Sequence, residues 1–192
     1  METTVNQRMK RRGRRPAAGP SIAELDFAER ILIRALRRLT AINTGIALVV
    51  PDLEWLREQV IDAVGHGFGV TLGPRGGAAA VAELEWILRT FCCAGFRPLQ
   101  IGRICEPSIS PDERLLLSFV AGCQANDTDH VRNLLSWLLP PPAATIITAH
   151  GQSLAHIFHA GGVALPQRLR FADRVGVSGV LPCRGEYMHT VH

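Results

Sequence analysis

The sequence lacks the cysteine pattern of a disulfide-linked secreted domain. Its five cysteines are an odd number without a C-x-x-C pair, and they are Cys92, Cys93, Cys105, Cys123 and Cys183. Secreted scaffolds more often carry an even, closely spaced set. The adjacent Cys92 and Cys93 are expected to be small residues that face the core of a helical domain.

A secretory signal is also missing, because no apolar stretch follows the basic residues at the start of the sequence. Together with the unpaired cysteines, this predicts a protein of the reducing cytoplasm. An organelle transit peptide is the less favoured interpretation of the Arg-rich start, since no cleavage pattern accompanies it.

Motifs of enzymes and cofactor sites are absent as well. The sequence has no G-x-x-x-x-G-K-[ST] phosphate-binding loop, and Ser178 in Gly-Val-Ser-Gly lacks the spacing of a nucleophile elbow. No pair of carboxylates stands in a glycine-framed pattern. We therefore predict no catalytic residue and no cofactor, with a site formed only by the fold as the alternative.

Charge is absent from a long C-terminal stretch. Residues 133–167 contain no Lys, Arg, Asp or Glu, and the window 143–165 is long enough to span a bilayer. That window nevertheless holds three histidines and several other polar residues, which are costly in hydrocarbon. We expect a buried core helix here and no membrane insertion.

The charge that the sequence does carry is concentrated at its start. The 192 residues are 47% hydrophobic and 20% charged, with a formal net charge of +4. Residues 1–20 hold six of the 21 cations and one of the 17 acids, so the rest of the chain is near neutral. The composition suits one globular domain behind a basic tail.

Apolar residues at helical spacing predict a mainly α-helical fold, a compact bundle of about six helices with at most one or two short strands. Capping and breaking residues place the helices at about 21–44, 51–64, 78–94, 110–124, 127–139 and 143–160. Six glycines and a proline predict a loop over residues 65–77, and Phe96–Ile104 is expected to form a strand. We predict a disordered basic tail over residues 1–20, a helical domain over 21–164 and an extended arm over 165–192.

The first predicted helix has the clearest two-sided pattern. A capping box, Ser21-x-x-Glu24, is expected to begin it, and leucines recur at helical spacing as far as Leu39. The charged residues are expected mostly on the opposite, polar side, and they are Glu29, Arg30, Arg34, Arg37 and Arg38.

Several short motifs are shared with known sequences. They are Leu32-Ile33-Arg34-Ala35-Leu36-Arg37-Arg38-Leu39, Phe96-Arg97-Pro98-Leu99, Cys105-Glu106-Pro107-Ser108 and Pro111-Asp112-Glu113. Through them, residues 30–165 resemble a small uncharacterised family of bacterial proteins, chiefly from alphaproteobacteria. The resemblance implies a helical domain of the bacterial cytoplasm and no particular activity.

The basic tail carries the sharpest local signal. Its core, Arg12-Gly13-Arg14-Arg15-Pro16, is similar to an AT-hook, in which arginines enter the narrow minor groove of A/T-rich DNA. An additional arginine separates glycine from proline and alters the usual spacing. Arg11, Arg12, Arg14 and Arg15 are the candidate nucleic-acid contacts, although a solubilising tail is the favoured interpretation.

Two further patterns suggest ligands. His156 and His159 share a face of the last predicted helix and are candidate metal ligands, but a third would have to come from elsewhere in the fold. The glycine-rich residues 65–77 precede a helix, where backbone N–H groups are able to cradle a phosphate. A plain connector is the favoured interpretation of this segment.

Taken together, these patterns predict a non-catalytic protein-interaction or regulatory module. Its charge-free C-terminal region is expected to dock a protein partner or a second copy of the chain. Two alternatives stay open: a nucleic-acid-associated accessory protein that binds through the tail, and an enzyme or metal-binding protein whose site only the fold assembles.

Overall fold

The computed structural model describes residues 21–44 and 53–168, and no strand is present among them. After a short 3-10 turn at Ile22–Glu24, the helices are α1 (Phe27–Thr44), α2 (Leu53–Ala94), α3 (Pro111–Gln124), α4 (Thr128–Ser136) and α5 (Pro141–Ala160). The prediction of a mainly α-helical bundle is confirmed, with five helices in this part of the chain in place of about six.

The helix starts follow the predicted capping chemistry at α3 and only in part at α1. Ser110 forms a complete capping box with Glu113, behind Pro111 in the first turn. Ser21 instead caps the 3-10 turn, which ends where Leu25 adopts an extended conformation. The prediction that Ser21 begins the long first helix is therefore wrong by one short turn.

The glycine-rich segment 65–77 is helical, and the prediction of a loop there is wrong. α2 continues through it and is interrupted only at Gly73, where φ is 76° and ψ is 163°. Side chains rarely allow this backbone conformation, so glycine is required at that position. Beyond Gly73 the helix turns back on itself, because Gly77 comes close to the backbone of Gly65 and Gly69.

Glycines at the contact between the two halves of α2 explain this close return. Gly65 and Gly69 lie four residues apart on one face of the first half, and Gly77 lies in the second half, beyond the break at Gly73. A Cβ atom on Gly77 would collide with the carbonyl oxygen of Gly65 and lie 2.8 Å from the backbone nitrogen of Gly69. The glycine content resembles that of a loop, but the absence of side chains at Gly69 and Gly77 is what allows the two helical halves to pack backbone against backbone.

Residues 95–110, between α2 and α3, have no regular structure apart from one bridge between Ser108 and Ser21. The prediction of a strand at Phe96–Ile104 is therefore wrong. Several backbone groups of this segment bond to side chains of α1 and α3 and not to a neighbouring strand. This alternative satisfies the backbone without a sheet.

The charge-free α5 packs against α2, α3 and α4 and occupies the middle of the bundle. Its buried face includes Ile147, Leu154 and Phe158, and the ring of Phe158 lies 5.7 Å from that of Phe68. Its opposite face is exposed. In the described ranges, no helix is both long enough and apolar enough to cross a membrane.

Residues 163–168, which we call the C-terminal strap, lie against the domain after α5. The side-chain amide of Gln124 donates to the carbonyl oxygen of Val163 and accepts from the N–H of Leu165, both at 2.8 Å. Arg168 then donates to the two carboxylate oxygens of Glu29 at 2.8 and 2.9 Å. Side chains of α1 and α3 therefore hold the strap in place.

Three predictions fall outside the described residues. They concern the basic tail 1–20 with its candidate contacts Arg11, Arg12, Arg14 and Arg15, the first residues of the second predicted helix at 51–52, and the part of the C-terminal arm at 169–192. These stay predictions.

The close packing of the two halves of α2 on either side of Gly73 can be tested with two glycines of this helix. Gly77→Ala is expected to lower the free energy of unfolding by about 1–3 kcal/mol, because the added methyl group collides with backbone. Gly67→Ala is the matched control, since no atom lies within 4 Å of a Cβ built there. It is expected to be neutral or to stabilise by about 0.5–1 kcal/mol. Urea denaturation measures both, and equal effects would contradict the backbone-to-backbone packing.

Candidate functional site

Arg37 is the centre of a buried polar network that joins α1 to the segment before α3. Its guanidinium has five N–H donors, and each reaches an acceptor. Nε and Nη2 donate to the carboxylate of Glu113 at 2.6 and 3.0 Å. Nη1 donates to the carbonyl oxygens of Arg103 and Glu106 at 2.9 and 2.5 Å, and Nη2 also donates to that of Ser108 at 2.6 Å. Only 2% of Arg37 is exposed.

This network corrects the prediction for the polar side of α1, because Glu29 and Arg37 are both buried. Arg37 follows the buried Ile33 by four residues, so it lies on the same side of the helix as the apolar stripe. A buried guanidinium is tolerated when its charge and donors are matched. The hydrogen bond to Glu113 accordingly raises the pKa of Arg37.

Glu113 combines the capping of α3 with the binding of Arg37. Its carboxylate accepts from the backbone N–H of Ser110 at 2.8 Å and from that of Gly102 at 3.2 Å. Gly102 lies directly against the guanidinium, since a Cβ atom there would be 2.7 Å from Nη2 of Arg37. One carboxylate therefore fixes the helix start, the irregular segment and α1 relative to one another.

Asp112 holds the first part of the irregular segment 95–110, around Arg97 and Gln100. Arg97 donates to both of its carboxylate oxygens at 2.6 and 2.7 Å, and the backbone N–H of Gln100 donates at 2.7 Å. Asp112 is buried, and the hydrogen bond from Arg97 is the main cause that lowers its pKa. Because every donor of Arg37 is used and Asp112 is paired, we assign a structural role to this network.

An open groove of about 700 Å³ runs between α4 and α5. The α5 wall is a single helical stripe of uncharged residues, and they are Pro141, Ala144, Thr145, Thr148, Ala149 and Gln152. The α4 wall includes Val131, Leu135 and Arg132, and Phe96 also lines the groove. We call this surface the α4–α5 groove.

The α4–α5 groove combines little charge with exposed aromatic surface. Among the described residues that line it, only Arg132 is charged, and it forms a solvent-exposed ion pair of 3.1 Å with Asp129. Phe96, which lines the groove, is 63% exposed. The exposure of such apolar surface to water is energetically unfavourable, and surface of this kind is typical of the centre of protein interfaces.

The two histidines predicted as metal ligands lie on the exposed side of α5. Around His156 and His159, and elsewhere in the described part of the chain, no three His, Cys, Asp or Glu side chains form a metal-binding group. His150 has another environment: its Nδ1 lies 2.7 Å from a carboxylate oxygen of Glu83, and its ring stacks on Trp86 at 5.5 Å. It therefore links α5 to α2.

The four described cysteines are free, and three of them are exposed. The exposed ones include Cys92 and Cys93, so the prediction that both face the core is wrong. Cys123 is buried between helices, and burial raises the pKa of its thiol to about 12. This thiol is therefore protonated and unreactive at neutral pH, while Cys183 lies outside the described residues.

Ser118 and His130 form a buried pair that resembles the first two members of a hydrolytic triad. The hydroxyl oxygen of Ser118 lies 2.8 Å from Nε2 of His130. Ser118, however, stands inside α3, where backbone N–H groups bond along the helix and do not form an oxyanion hole. We assign to the pair the role of joining α3 to α4.

No protein-family model, curated protein or solved structure matches the chain.

Loss of the Arg37 guanidinium should destabilise the fold strongly. Arg37→Met is expected to lower the free energy of unfolding by about 3–5 kcal/mol, because it leaves the buried Glu113 unpaired. Arg38→Met, at an exposed position of the same helix, is expected to change it by less than about 0.5 kcal/mol. Adding Glu113→Gln to Arg37→Met should restore only part of the loss, since three carbonyl oxygens still lack their donor. Chemical denaturation measures the free energy of unfolding of each variant. Full restoration of the stability by the added Glu113→Gln substitution would contradict the network.

The contribution of Asp112 to the free energy of unfolding should depend on pH. Its pKa is lower in the folded state than the ordinary value of 3.8, so its stabilisation is present above that value and disappears as pH falls through the folded pKa. Asp112→Asn should therefore be less stable than the natural protein at pH 7. The difference in free energy of unfolding between the two should become smaller below about pH 4. Asp129→Asn, at an exposed position, serves as the control. Its difference in free energy of unfolding from the natural protein should be small and should not change with pH. A gap for Asp112→Asn that does not change with pH would contradict the assignment.

Proposed function

We propose that the protein is a non-catalytic interaction module whose α4–α5 groove receives an amphipathic helix of a partner protein. The observation that carries this proposal is the charge-free stripe of α5 opposite an exposed aromatic side chain, Phe96. Recognition of a helix in a groove is a recurrent mode of binding between proteins.

The size of the groove suits a short helix. Its α5 wall extends from Pro141 to Gln152, which corresponds to about 17 Å or three helical turns. The wall consists mainly of small side chains such as Ala144 and Ala149, which allow a partner helix to approach closely. Val131 and Leu135 on α4 offer apolar contacts on the other side.

The charges of the groove define the chemistry of the partner. A charged residue of the partner would find no counterion along α5 and would lose its water, so the face that enters the groove should be apolar and uncharged. At the α4 edge, Arg132 offers a cation whose present partner Asp129 is solvent-exposed. An acidic residue beside the apolar face of the partner helix is the complementary feature.

The groove is built before a partner arrives. The backbone N–H of Phe96 donates to the carbonyl oxygen of Leu138 at 3.0 Å. The residues that follow Phe96 are held by the Asp112 and Glu113 carboxylates. A preformed site loses less conformational entropy on binding than a mobile one.

The bacterial cytoplasm is the proposed location of this module. The free thiols of Cys92, Cys93, Cys105 and Cys123 support a reducing compartment. The resemblance of residues 30–165 to a family of bacterial proteins supports the same assignment.

The alternative function, association with nucleic acid, depends on the tail. Arg11, Arg12, Arg14 and Arg15 supply a cluster of cations that would release counterions from a polyanion. Binding of this kind would be strongly salt-dependent, because it releases counterions from the polyanion. The remainder of the chain is near neutral and would add little to it.

Two alanines provide a matched test of the groove. Ala149 is an exposed residue of the α4–α5 groove, and Ala82 is an exposed residue of α2 outside it. We expect Ala149→Arg to lower the affinity for a partner recovered from nuclease-treated native extract by more than about tenfold, because it places an unpaired charge in the interface. Ala82→Arg should leave the affinity unchanged. Titration calorimetry with the purified partner, and with a peptide of its apolar helix, gives the values.

Three other outcomes would contradict the proposal. Equal affinity of the two variants would exclude the groove as the docking surface. A wild-type dimer that Ala149→Arg converts to a monomer, measured by light scattering, would identify a second copy as the occupant. Loss of all recovered material with nuclease, or in a full-length variant with Arg11, Arg12, Arg14 and Arg15 changed to Gln, would favour the nucleic-acid alternative.

A further inference from the structure

The C-terminal strap lies against a surface that binds it as a linear peptide, and we propose that an arginine-bearing segment of a partner protein competes with the strap for this surface. The surface lies between the start of α1 and α3, over a space of about 210 Å³. We call it the strap seat, and its residues are Leu25, Asp26, Glu29, Ile109, Leu117 and Gln124. Among the described residues it shares none with the lining of the α4–α5 groove, so the proposal does not rest on the proposed function.

Gln124 binds the backbone of the strap and not its side chains. Its amide nitrogen donates to the carbonyl oxygen of Val163, and its amide oxygen accepts from the N–H of Leu165, both at 2.8 Å. One residue of a neighbouring parallel strand makes the same two bonds to an adjoining chain. In peptide recognition of this kind, main-chain hydrogen bonds supply affinity and side-chain pockets supply specificity. The seat is therefore able to hold another segment in the same register.

Two side chains of the strap define which sequences fit the seat. Leu165 is 7% exposed, and no other residue of 163–168 is buried. Arg168 donates through Nε and Nη2 to the two carboxylate oxygens of Glu29, and its Nη2 lies 3.7 Å from Oδ1 of Asp26. Such a bidentate pair favours arginine over lysine. The seat therefore recognises a leucine that is followed by an arginine three residues later.

The seat without the strap is acidic. Glu29 and Asp26 lie beside the position of the Arg168 guanidinium, and Glu24 lines the same space. Arg114 is the one other cation among the described residues of that lining. Glu29 is only 2% exposed, so its carboxylate would be buried without a counterion if no cation replaced Arg168. A competing segment therefore has to bring a cation of its own.

Few contacts hold the strap, and two glycines join it to α5. Leu165 is its one buried residue within 163–168, and 52% of the Arg168 side chain is exposed. Gly161 and Gly162 come directly before the strap, and φ of Gly162 is 71°. Glycine adopts this and other backbone conformations at little steric cost. The strap is therefore able to leave the seat without a change in α5.

The space beneath the strap offers a partner segment a contact that the strap does not make. Leu25, Ile109 and Leu117 line it and are buried, and Pro166 of the strap lines it as well. A leucine at the position of Pro166 would bury more apolar surface there, because its side chain is longer. The strap has the advantage of its covalent attachment, which acts as a high local concentration. The additional contact offsets part of that advantage, so the favoured partner segment is Leu-Leu-x-Arg.

Exchange of the strap is measured on the full-length protein with fluorescently labelled peptides. The first peptide repeats residues 161–168, the second has leucine at the position of Pro166, and the third has glutamine at the position of Arg168. The Arg168→Gln protein, whose own strap lacks the ion pair, is expected to bind the first peptide at least about tenfold more tightly than the natural protein does. It should bind the second peptide at least about threefold more tightly than the first, and the third at least about tenfold more weakly. Fluorescence polarisation gives the dissociation constants.

Second substitutions in the Arg168→Gln protein connect the binding to the seat. Gln124→Leu removes both main-chain hydrogen bonds and is expected to weaken binding of the first peptide by more than about tenfold. Gln152→Leu, at an exposed position of α5, is the matched control that should leave it unchanged. Glu29→Gln should bind the first and third peptides with affinities within about twofold, because the peptide arginine has lost its partner. Circular dichroism checks the folding of each variant, and the two peptides are compared on one and the same Glu29→Gln protein.

Each other outcome contradicts the proposal. Absence of binding to the Arg168→Gln protein, or equal affinity of this variant and the natural protein, would show that the strap is not exchanged. Equal affinity for the first and third peptides would show that the seat does not select a cation, and equal affinity for the first two would show that the space beneath the strap does not admit leucine. Unchanged binding after Gln124→Leu would place the peptide elsewhere. A dimer of the natural protein that Arg168→Gln converts to a monomer, measured by light scattering, would identify the strap of a second copy as the occupant.

Discussion

The burial of one guanidinium organises the fold. Arg37 bonds to five acceptors, two of them on Glu113 of α3 and three of them carbonyl oxygens of a segment that has neither helix nor sheet. These carbonyls are partly buried, so the loss of their donor would carry a free-energy cost. Arg37 therefore does for residues 103–108 what a neighbouring strand does in a sheet. The irregular segment also carries Phe96, which lines the α4–α5 groove and whose backbone N–H bonds to Leu138.

Two adjacent acids at the start of α3 share this work. Glu113 is both the capping residue of the helix and the counterion of Arg37, whereas Asp112 binds Arg97 and the backbone beyond it. Capping boxes are a common local device, and here one is extended into a long-range contact. Because the same carboxylate satisfies helix, loop and α1, the three elements are expected to form and to unfold together.

Small residues set the remaining distances between helices. Gly77 allows the two halves of α2 to touch through their backbones, and Gly151 allows α5 to lie against Phe119 and Cys123 of α3. The price of this close packing is sensitivity to any added methyl group. The exposed face of α5 is left without charge. The candidate groove beside it is a consequence of how closely the helices approach.

Sequence alone was sufficient for features that depend on near neighbours. The helical class, the capping of α3 by Ser110 and the uncharged character of α5 follow from spacing along a few turns, because a helix is stabilised by contacts between residues three and four apart. The sequence was misleading for the glycines of α2, whose number is typical of a loop, and for a charged residue such as Arg37 that lies beside an apolar stripe.

Only the tertiary structure decided which groups meet across the chain. The pairing of Arg37 with Glu113 spans 76 residues and that of Glu29 with Arg168 spans 139. Neither pair leaves a periodic trace, since an ion pair requires two matched side chains and no particular interval between them. The groove likewise exists only between elements, so lining residues such as Phe96 have no local signature. The physical reason is that helix formation is a short-range process, whereas the burial of charge is settled by whatever the packed core brings within hydrogen-bond distance.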